Sequence, residues 1–368
     1  MGLNTIFKLG HIGFFGDKMR VLQVITLCEL GGAQTVVANI ANGLCDNHDV
    51  IVASGEGDGK MWHMLDDRVQ RVHCKHLKRR ISFFNDLLTM YDFWKLYRKY
   101  RPDVIHLHSS KAGMLGRMVF PSKKIVYTVH GFDTIRLANR RFLSLERFMQ
   151  KKCGSIVAVS EYDKHNLAAE NIKNNVSTVY NGTSLPLISG DISFGIPSKY
   201  KKTVLCIARV SYPKNSKLFL EVAQLLPQYA FVWIGNKEPM YDTPENVFFL
   251  GNISNAAMYC SLADIFMLPS EYEGLPIVII EAMSFGKPVV ASNVGGISEL
   301  VHNDVNGYTL KNDAAVFAEK IDYILENPQV YDKMSQSSKE LYNEHFTVDK
   351  MVDGYMEKYN RLLGEMYF

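Results

Sequence analysis

The chain has 368 residues, of which 47% are hydrophobic and 21% charged, and its formal net charge is +3. This composition excludes a disordered or fibrous protein, and the length exceeds what one hydrophobic core usually serves, which predicts two domains. The small net charge hides an asymmetry, because residues 1–180 carry 26 Lys/Arg against 16 Asp/Glu while residues 181–368 carry 15 against 22.

Residues 1–18 contain a short apolar stretch interrupted by Lys8, His11 and several glycines, with no small-residue cleavage site behind it. They read as an extension rather than a targeting signal, and Met19 opens the first strand-like run. No apolar run reaches the roughly 18 residues a spanning helix needs. Three glycosylation sequons begin at Asn175, Asn181 and Asn252; with no secretion signal they read as chance matches, and a cytoplasmic protein is expected. The six cysteines are scattered, with no C-x-x-C pair. They read as reduced core residues.

Short β-branched runs then alternate with helical patterns. Strands are predicted at 20–26, 49–53, 69–74, 103–107, 124–129, 155–159 and 176–180, with helices near 32–45, 83–100, 111–118, 139–152 and 161–169. Such alternation predicts α/β architecture with parallel, doubly wound sheets. Residues 183–200 are rich in Ser, Gly and Pro and read as a linker. A second series follows, with strands at 203–208, 229–234, 247–250, 264–268 and 288–291 and helices near 215–226, 254–261, 276–285 and 297–302. From 312 onward the pattern is helical and polar-faced. The predicted organisation is a first domain over 1–183, a linker over 184–200, a second domain over 201–346, and a terminal helix over 347–368 that packs back on the first domain.

Ligands in such sheets sit beyond the carboxyl ends of the strands. Gly31 and Gly32 follow the first strand, where the lack of a Cβ lets backbone approach phosphate or sugar oxygens, although a plain turn explains the pair as well. His106, His108 and Ser109 end another strand; two histidines could suggest a metal, but no third ligand accompanies them, so they read as acceptor-side lining or packing. His130, at a strand tip before Gly131, is placed over the cleft. In the second domain Arg209 and Lys214 follow a strand and could neutralise a diphosphate and the charge that grows on it as a bond breaks. Gly235 and Gly251 are predicted to frame a base pocket. The segment 264–299 leads from a strand through Glu273, Gly274 and Leu275 to Pro276, which suits a helix start whose free N–H groups face the cleft. Glu273 and Glu281 are carboxylates suited to paired sugar hydroxyls.

This last segment closely resembles the E-x7-E block of the retaining glycosyltransferases of family 4, with E-G-L-P, E-A-M-S-F-G-K-P-V-V-A-S and V-G-G-I-S-E around it. The resemblance implies the GT-B fold, two Rossmann-like domains facing across a cleft. It implies that Glu273 contacts the transferred sugar, that Glu281 binds the nucleotide ribose, and that backbone around Gly274 and Leu275 holds sugar and phosphate. A-R-V-S-Y-P-K-N is similar to the family's diphosphate clamp, with Ala208 and Asn215 where that pattern has glycine. Gly31-Gly32 resembles its N-terminal glycine loop, His130-Gly131 its donor-sugar histidine, Asn181-Gly182 its domain-closing turn, and Gly295-Gly296 with Glu299 its G-G-x-x-E loop.

The function so implied is retaining transfer of a hexose or N-acetylhexosamine from a UDP-sugar to a lipid-linked or saccharide acceptor, in cell-surface polysaccharide synthesis. Glu273, His130, Arg209 and Lys214 are the expected catalytic group. No D-x-D triplet ends a strand, so neither metal nor cofactor is expected. A nucleotide-sugar 2-epimerase of the same fold is the nearest alternative. Nucleic-acid binding is disfavoured because the basic residues are interleaved with core-type aromatics and no recognition motif accompanies them. Segments 75–101 and 135–152 combine Lys/Arg with aromatic residues and suggest peripheral docking on an anionic inner leaflet, an ordinary solvated helix face being the alternative.

Overall fold

Strands and helices alternate along the computed structural model, which describes residues 18–137, 139–185 and 190–367. Residues 1–17 of the predicted extension and 186–189 of the predicted linker lie outside the described residues.

The first domain runs β1 (Arg20–Ile25), α1 (Gly32–Leu44), β2 (Asp49–Ser54), β3 (Gln70–His73), α2 (Phe83–Tyr100), β4 (Val104–His108), α3 (Ser110–Val119), β5 (Ile125–Val129), α4 (Asp133–Arg136), α5 (Leu143–Met149), β6 (Ser155–Ala158), α6 (Glu161–Ala169) and β7 (Val176–Thr178). Its strands form one parallel sheet in the order β3-β2-β1-β4-β5-β6-β7. The second domain runs β8 (Thr203–Ile207), α7 (Ser216–Leu225), β9 (Ala230–Ile234), β10 (Val247–Phe249), β11 (Ile265–Leu268), α8 (Ile277–Ser284), β12 (Val289–Ser292), β13 (Gly307–Leu310), α9 (Ala314–Glu326) and α10 (Pro328–His345), and the chain ends in α11 (Val348–Tyr367). Its sheet is parallel in the order β10-β9-β8-β11-β12-β13.

Each strand order reverses once, between β1 and β4 in one sheet and between β8 and β11 in the other. At those two points neighbouring crossovers leave to opposite faces and open a crevice at the strand ends. The loops that follow β1, β4, β8 and β11 therefore form the functional end of each domain.

Both sheets are covered on two faces, which explains their nearly continuous apolar strands. In the first domain Leu22, Val24, Ile105 and Leu107 pack with Phe93 and Leu115 of α2 and α3. Val21, Val104, Val126 and Val157 face the other side, with α1 and with Tyr355 and Tyr359 of α11. The last helix thus lies on the first domain. It approaches so closely that a Cβ on Gly43 would stand 2.7 Å from Val352. In the second domain Phe231, Trp233, Phe266 and Phe219 form the centre. Burial of each such side chain contributes roughly 1.5–3 kcal/mol. All six cysteines are free and buried.

The structure departs from the predicted elements in several places. Strand β13 lies between 302 and 312, where no element is predicted. The region 139–152 holds only the two-turn α5 between short 3-10 turns, and the segments near 254–261 and 297–302 are 3-10 turns. In that region Asn139 and Arg140 interrupt the helical pattern, and Gly295-Gly296 begins the last of these turns.

Candidate functional site

The second domain supplies an ion-paired floor. Lys214, in the loop after β8, pairs with Glu273 in the loop after β11, and the Ser270 hydroxyl donates to the same Glu273 oxygen at 2.7 Å. The two loops are also tied through backbone, Glu271 N–H donating to the Pro213 carbonyl at 2.8 Å. Asn215 stands in the left-handed region, φ 45°, where its side chain accepts from Leu218 N–H and caps α7. Asparagine tolerates that conformation better than most residues, so the departure from glycine at 215 leaves the turn intact. Ala208 is fixed by Trp233, whose indole N–H donates to its carbonyl at 2.6 Å. Arg209, which follows it, is exposed and has no ion-pair partner among the described residues.

Helix α8 begins one residue later than Pro276, which occupies the capping position and brings no side-chain cap. The first N–H groups of this helix are therefore open to an anion. Glu281 lies one turn in, its carboxyl pushed up to about 8 by burial. Its carboxylate makes no hydrogen bond among the described residues, so paired hydroxyls would find both oxygens open. Gly235 and Gly251 close the ends of β9 and β10, with Gly235 N–H donating to the Gly251 carbonyl at 2.7 Å. Gly235 has φ 122°, and a Cβ there would stand 2.4 Å from the Ala208 carbonyl oxygen.

The first domain meets this floor through backbone. A Cβ on Gly274 would stand 2.8 Å from the Gly131 Cα, so the loop that carries Glu273 meets the one that carries His130. A Cβ on Gly32 would stand 3.7 Å from Ile277, which places the Gly31-Gly32 loop against the start of α8. Asn181 donates to the Leu275 carbonyl at 2.8 Å and so anchors the Glu-Gly-Leu-Pro loop from the opposite domain.

His130 is joined to a buried polar set through one ring nitrogen. Its Nε2 lies 3.0 Å from His108 Nδ1, and burial lowers its pKa to about 4. His108 is fully buried and its Nε2 lies 3.1 Å from Gln23 Oε1. His106 is also fully buried, between Tyr359 and Thr128 at 2.7 Å each. Both histidines are fully buried, on the face of β4 opposite Ile105 and Leu107, as the packing reading of the pair expects. Ser109 is half-buried at the switch point, its hydroxyl 2.7 Å from that of Thr26.

The G-G-x-x-E loop belongs to the junction between the domains, and one further residue there, Asp163, escapes sequence reading. Glu299 accepts from the Glu161 and Tyr162 N–H groups at 2.8 Å each, capping α6 of the other domain. Gly295 and Gly296 pack against the backbone of Glu273 and Gly274. Asp163, on α6, accepts from Phe132 N–H at 2.9 Å, while its other oxygen is buried without a partner. Burial, with Asp133 nearby, pushes its pKa up to about 7. Only the position of Asp163 three residues into a helix start hinted at it, and that signal points to capping.

The predicted basic surface divides. In 135–152, Arg136 pairs with Asp133, and Arg140 and Arg147 pair with Glu170, so these cations hold the domain together. Helix α2 differs: Phe83 is 72% and Phe84 77% exposed, and Leu87, Leu88, Tyr91 and Trp94 continue the exposed apolar face. No helix among the described residues is long and apolar enough to cross a membrane.

Residues 30–185 match the family model described as Glycosyltransferase Family 4, and residues 192–341 match the one described as Glycosyl transferases group 1. The chain is a glycosyltransferase of this family. It is 27% identical to the Escherichia coli UDP-Gal:alpha-D-GlcNAc-diphosphoundecaprenol alpha-1,3-galactosyltransferase, covering 93% of this chain and 97% of that protein. It is 28% identical to the O-antigen biosynthesis glycosyltransferase WbnH of Escherichia coli, over 84% of this chain and 90% of that one. Anabaena HepE, solved in complex with UDP-glucose, superposes with a TM-score of 0.76 at 20% identity, over 93% of this chain and 100% of that one. The fold of this glycosyltransferase is GT-B.

Proposed function

We propose that this glycosyltransferase moves a hexose or N-acetylhexosamine, with retention, from a UDP-sugar to a lipid-linked saccharide in the synthesis of a cell-surface polysaccharide. The observation that carries the reading is that the Lys214–Glu273 pair and the open start of α8 lie where Gly274 meets Gly131 and Ile277 meets the Gly31-Gly32 loop. The uridine donor is supported by the UDP-Gal in the name of the E. coli relative and the UDP-glucose bound to HepE. The acceptor class is supported by the diphosphoundecaprenol and O-antigen in the relatives' names.

In this reading the diphosphate lies against the first N–H groups of α8, between Arg209 and Lys214. Lys214 exchanges part of its pairing with Glu273 for a phosphate oxygen, which leaves Glu273 to accept from sugar hydroxyls. As the anomeric C–O bond breaks, negative charge grows on the leaving diphosphate, where the two cations and the helix start stabilise it. The acceptor hydroxyl enters on the same face and passes its proton to the departing phosphate oxygen. These protein cations take the place of a divalent metal, and turnover is expected to persist in EDTA.

The test is turnover with a panel of UDP-sugars and a diphosphate-lipid saccharide. Arg209→Ala should lower kcat about 100-fold, the loss typical of one charge-stabilising donor. A product of inverted anomeric configuration, unchanged turnover of the variant, or activity abolished by EDTA and restored by manganese would each overturn the corresponding part.

A further inference from the structure

The polar atoms behind His130 form a chain with one possible direction. The Val37 carbonyl can only accept, so Gln23 turns its NH2 toward it at 3.4 Å and its Oε1 toward His108 Nε2. An amide oxygen also can only accept, and His108 Nε2 must therefore carry the proton. In a neutral ring the other nitrogen, Nδ1, is then bare. It lies 3.0 Å from His130 Nε2, which must be the donor. His130 Nδ1 is left with a lone pair and no hydrogen-bond partner among the described residues, on a half-buried ring at the strand tip over the cleft. Gln23 and His108 are fully buried, and His106 packs against the His108 ring at 3.9 Å between centroids, so the chain is held in place. Burial keeps all the rings neutral, His108 falling well below the ordinary histidine range.

We propose that Gln23 and His108 are positioning residues that lock His130 as its Nε2–H tautomer, so that the cleft meets a hydrogen-bond acceptor. Resting on the donor-site reading above, this makes His130 a specificity determinant. The sugar substituent that reaches it must donate a hydrogen bond, as a hydroxyl does. A carboxylate brings two acceptors against a bare nitrogen, so hexuronate donors are rejected in favour of hexoses.

The lock is read directly by long-range proton–nitrogen NMR of the full chain labelled in histidine, where protonated and bare ring nitrogens are distinguished, with His130→Gln assigning the signal. In the wild type, His130 should show a protonated Nε2 and a bare Nδ1. Gln23→Leu removes the fixed acceptor, so His108 can donate through Nδ1 instead and drive His130 toward the Nδ1–H form. Gln23→Glu, protonated in this buried place, can donate to Val37 and accept from His108, and should restore the original tautomer. A wild-type His130 protonated on Nδ1 overturns the proposal, as does a tautomer unmoved by Gln23→Leu. Calorimetry with UDP-glucose and UDP-glucuronate then reads the consequence: the hexose should bind at least 10-fold tighter, and the preference should shrink in Gln23→Leu. Equal affinities would overturn the specificity role. If neither UDP-sugar binds, the donor-site reading and the hydroxyl preference fall together, while the lock stands or falls on the spectrum alone.

Discussion

Glu281 shows how one side chain is prepared for a ligand. It follows the buried run of Ile277, Ile279 and Ile280 in α8, and desolvation raises its carboxyl pKa to about 8. The folded protein therefore holds a proton that the unfolded chain, with an ordinary carboxyl, gives up near pH 4.5. This contribution to stability is complete below the unfolded value and is lost as pH rises through about 8. Donor binding has the opposite dependence in the proposed arrangement. Ribose hydroxyls donate to the ionised carboxylate, so binding expels the proton and strengthens as pH rises toward 8.5. Glu281→Gln should bind UDP about 10-fold more weakly at pH 8.5, in line with losing a hydrogen bond to a charged group, and show little difference at pH 6.5. Its melting temperature should gain on the wild type as pH rises. Calorimetry in buffers of different ionisation enthalpy checks the proton release, and a pH-independent UDP affinity in the wild type would contradict the role.

At the scale of elements, legibility in the sequence depended on how local the signal was. The strands that end at the switch points are β-branched runs followed by chemically distinctive loops, so Arg209, Lys214 and Glu273 could be placed before any fold was known. Strand β13 was not legible because Gly307-Tyr-Thr-Leu has one β-branched residue and opens on glycine at φ 154°. Its identity comes from pairing with β12, which only topology supplies. Gln23 was invisible for the same reason: it sits in β1 as one polar residue in an apolar strand, and its partners are 14 and 85 residues away. Helix α2 shows the reverse, a sequence feature whose meaning the fold narrows. Thr89, Phe93 and Leu96 bury one face, while Phe84, Leu87, Leu88 and Tyr91 recur at helical spacing on the exposed one, with Arg79, Arg80, Lys95 and Arg98 beside them. An apolar face edged with cations suits an anionic bilayer surface. We propose that this helix docks the first domain on the membrane that carries the acceptor. Phe83→Ser with Phe84→Ser and Trp94→Ser, all on the solvent side, should leave folding and UDP binding intact. Flotation with anionic liposomes at low salt should fall at least 10-fold; wild-type protein that fails to float, or a triple variant that floats equally, would refute the docking.

In the proposed arrangement the two domains are halves of one site, and among the contacts that join them is one between two glycines. Gly131 has φ 104° and lies against Gly274, beneath Glu273 on one side and His130 on the other. Around this point Glu299 reaches back to cap α6, Asn181 holds Leu275, and Gly296 backs Gly274, whose carbonyl accepts its N–H at 2.8 Å. The hydrogen bonds of Glu299 and Asn181 tie the two domains together, and the two glycines set how near they come here. Since no left-handed backbone is required at Gly274, alanine can occupy that position without local strain. The added methyl would still stand 2.8 Å from Gly131 Cα and 3.0 Å from its nitrogen, closer than carbon tolerates, and backbone has no rotamer by which to yield. Gly274→Ala must then part the domains by several tenths of an ångström at the reacting centre, while Arg209, Lys214 and the start of α8, all in the second domain, keep their geometry. A displacement approaching 1 Å at such a point can cost about 100-fold in rate. Gly274→Ala is accordingly expected to lower kcat by about 10- to 100-fold with the dissociation constant for UDP changed less than threefold. Steady-state kinetics and calorimetry separate the two quantities. A variant that loses UDP affinity as much as turnover would mean that the glycine contact shapes the donor clamp itself, and that closure of the two domains is not what it controls.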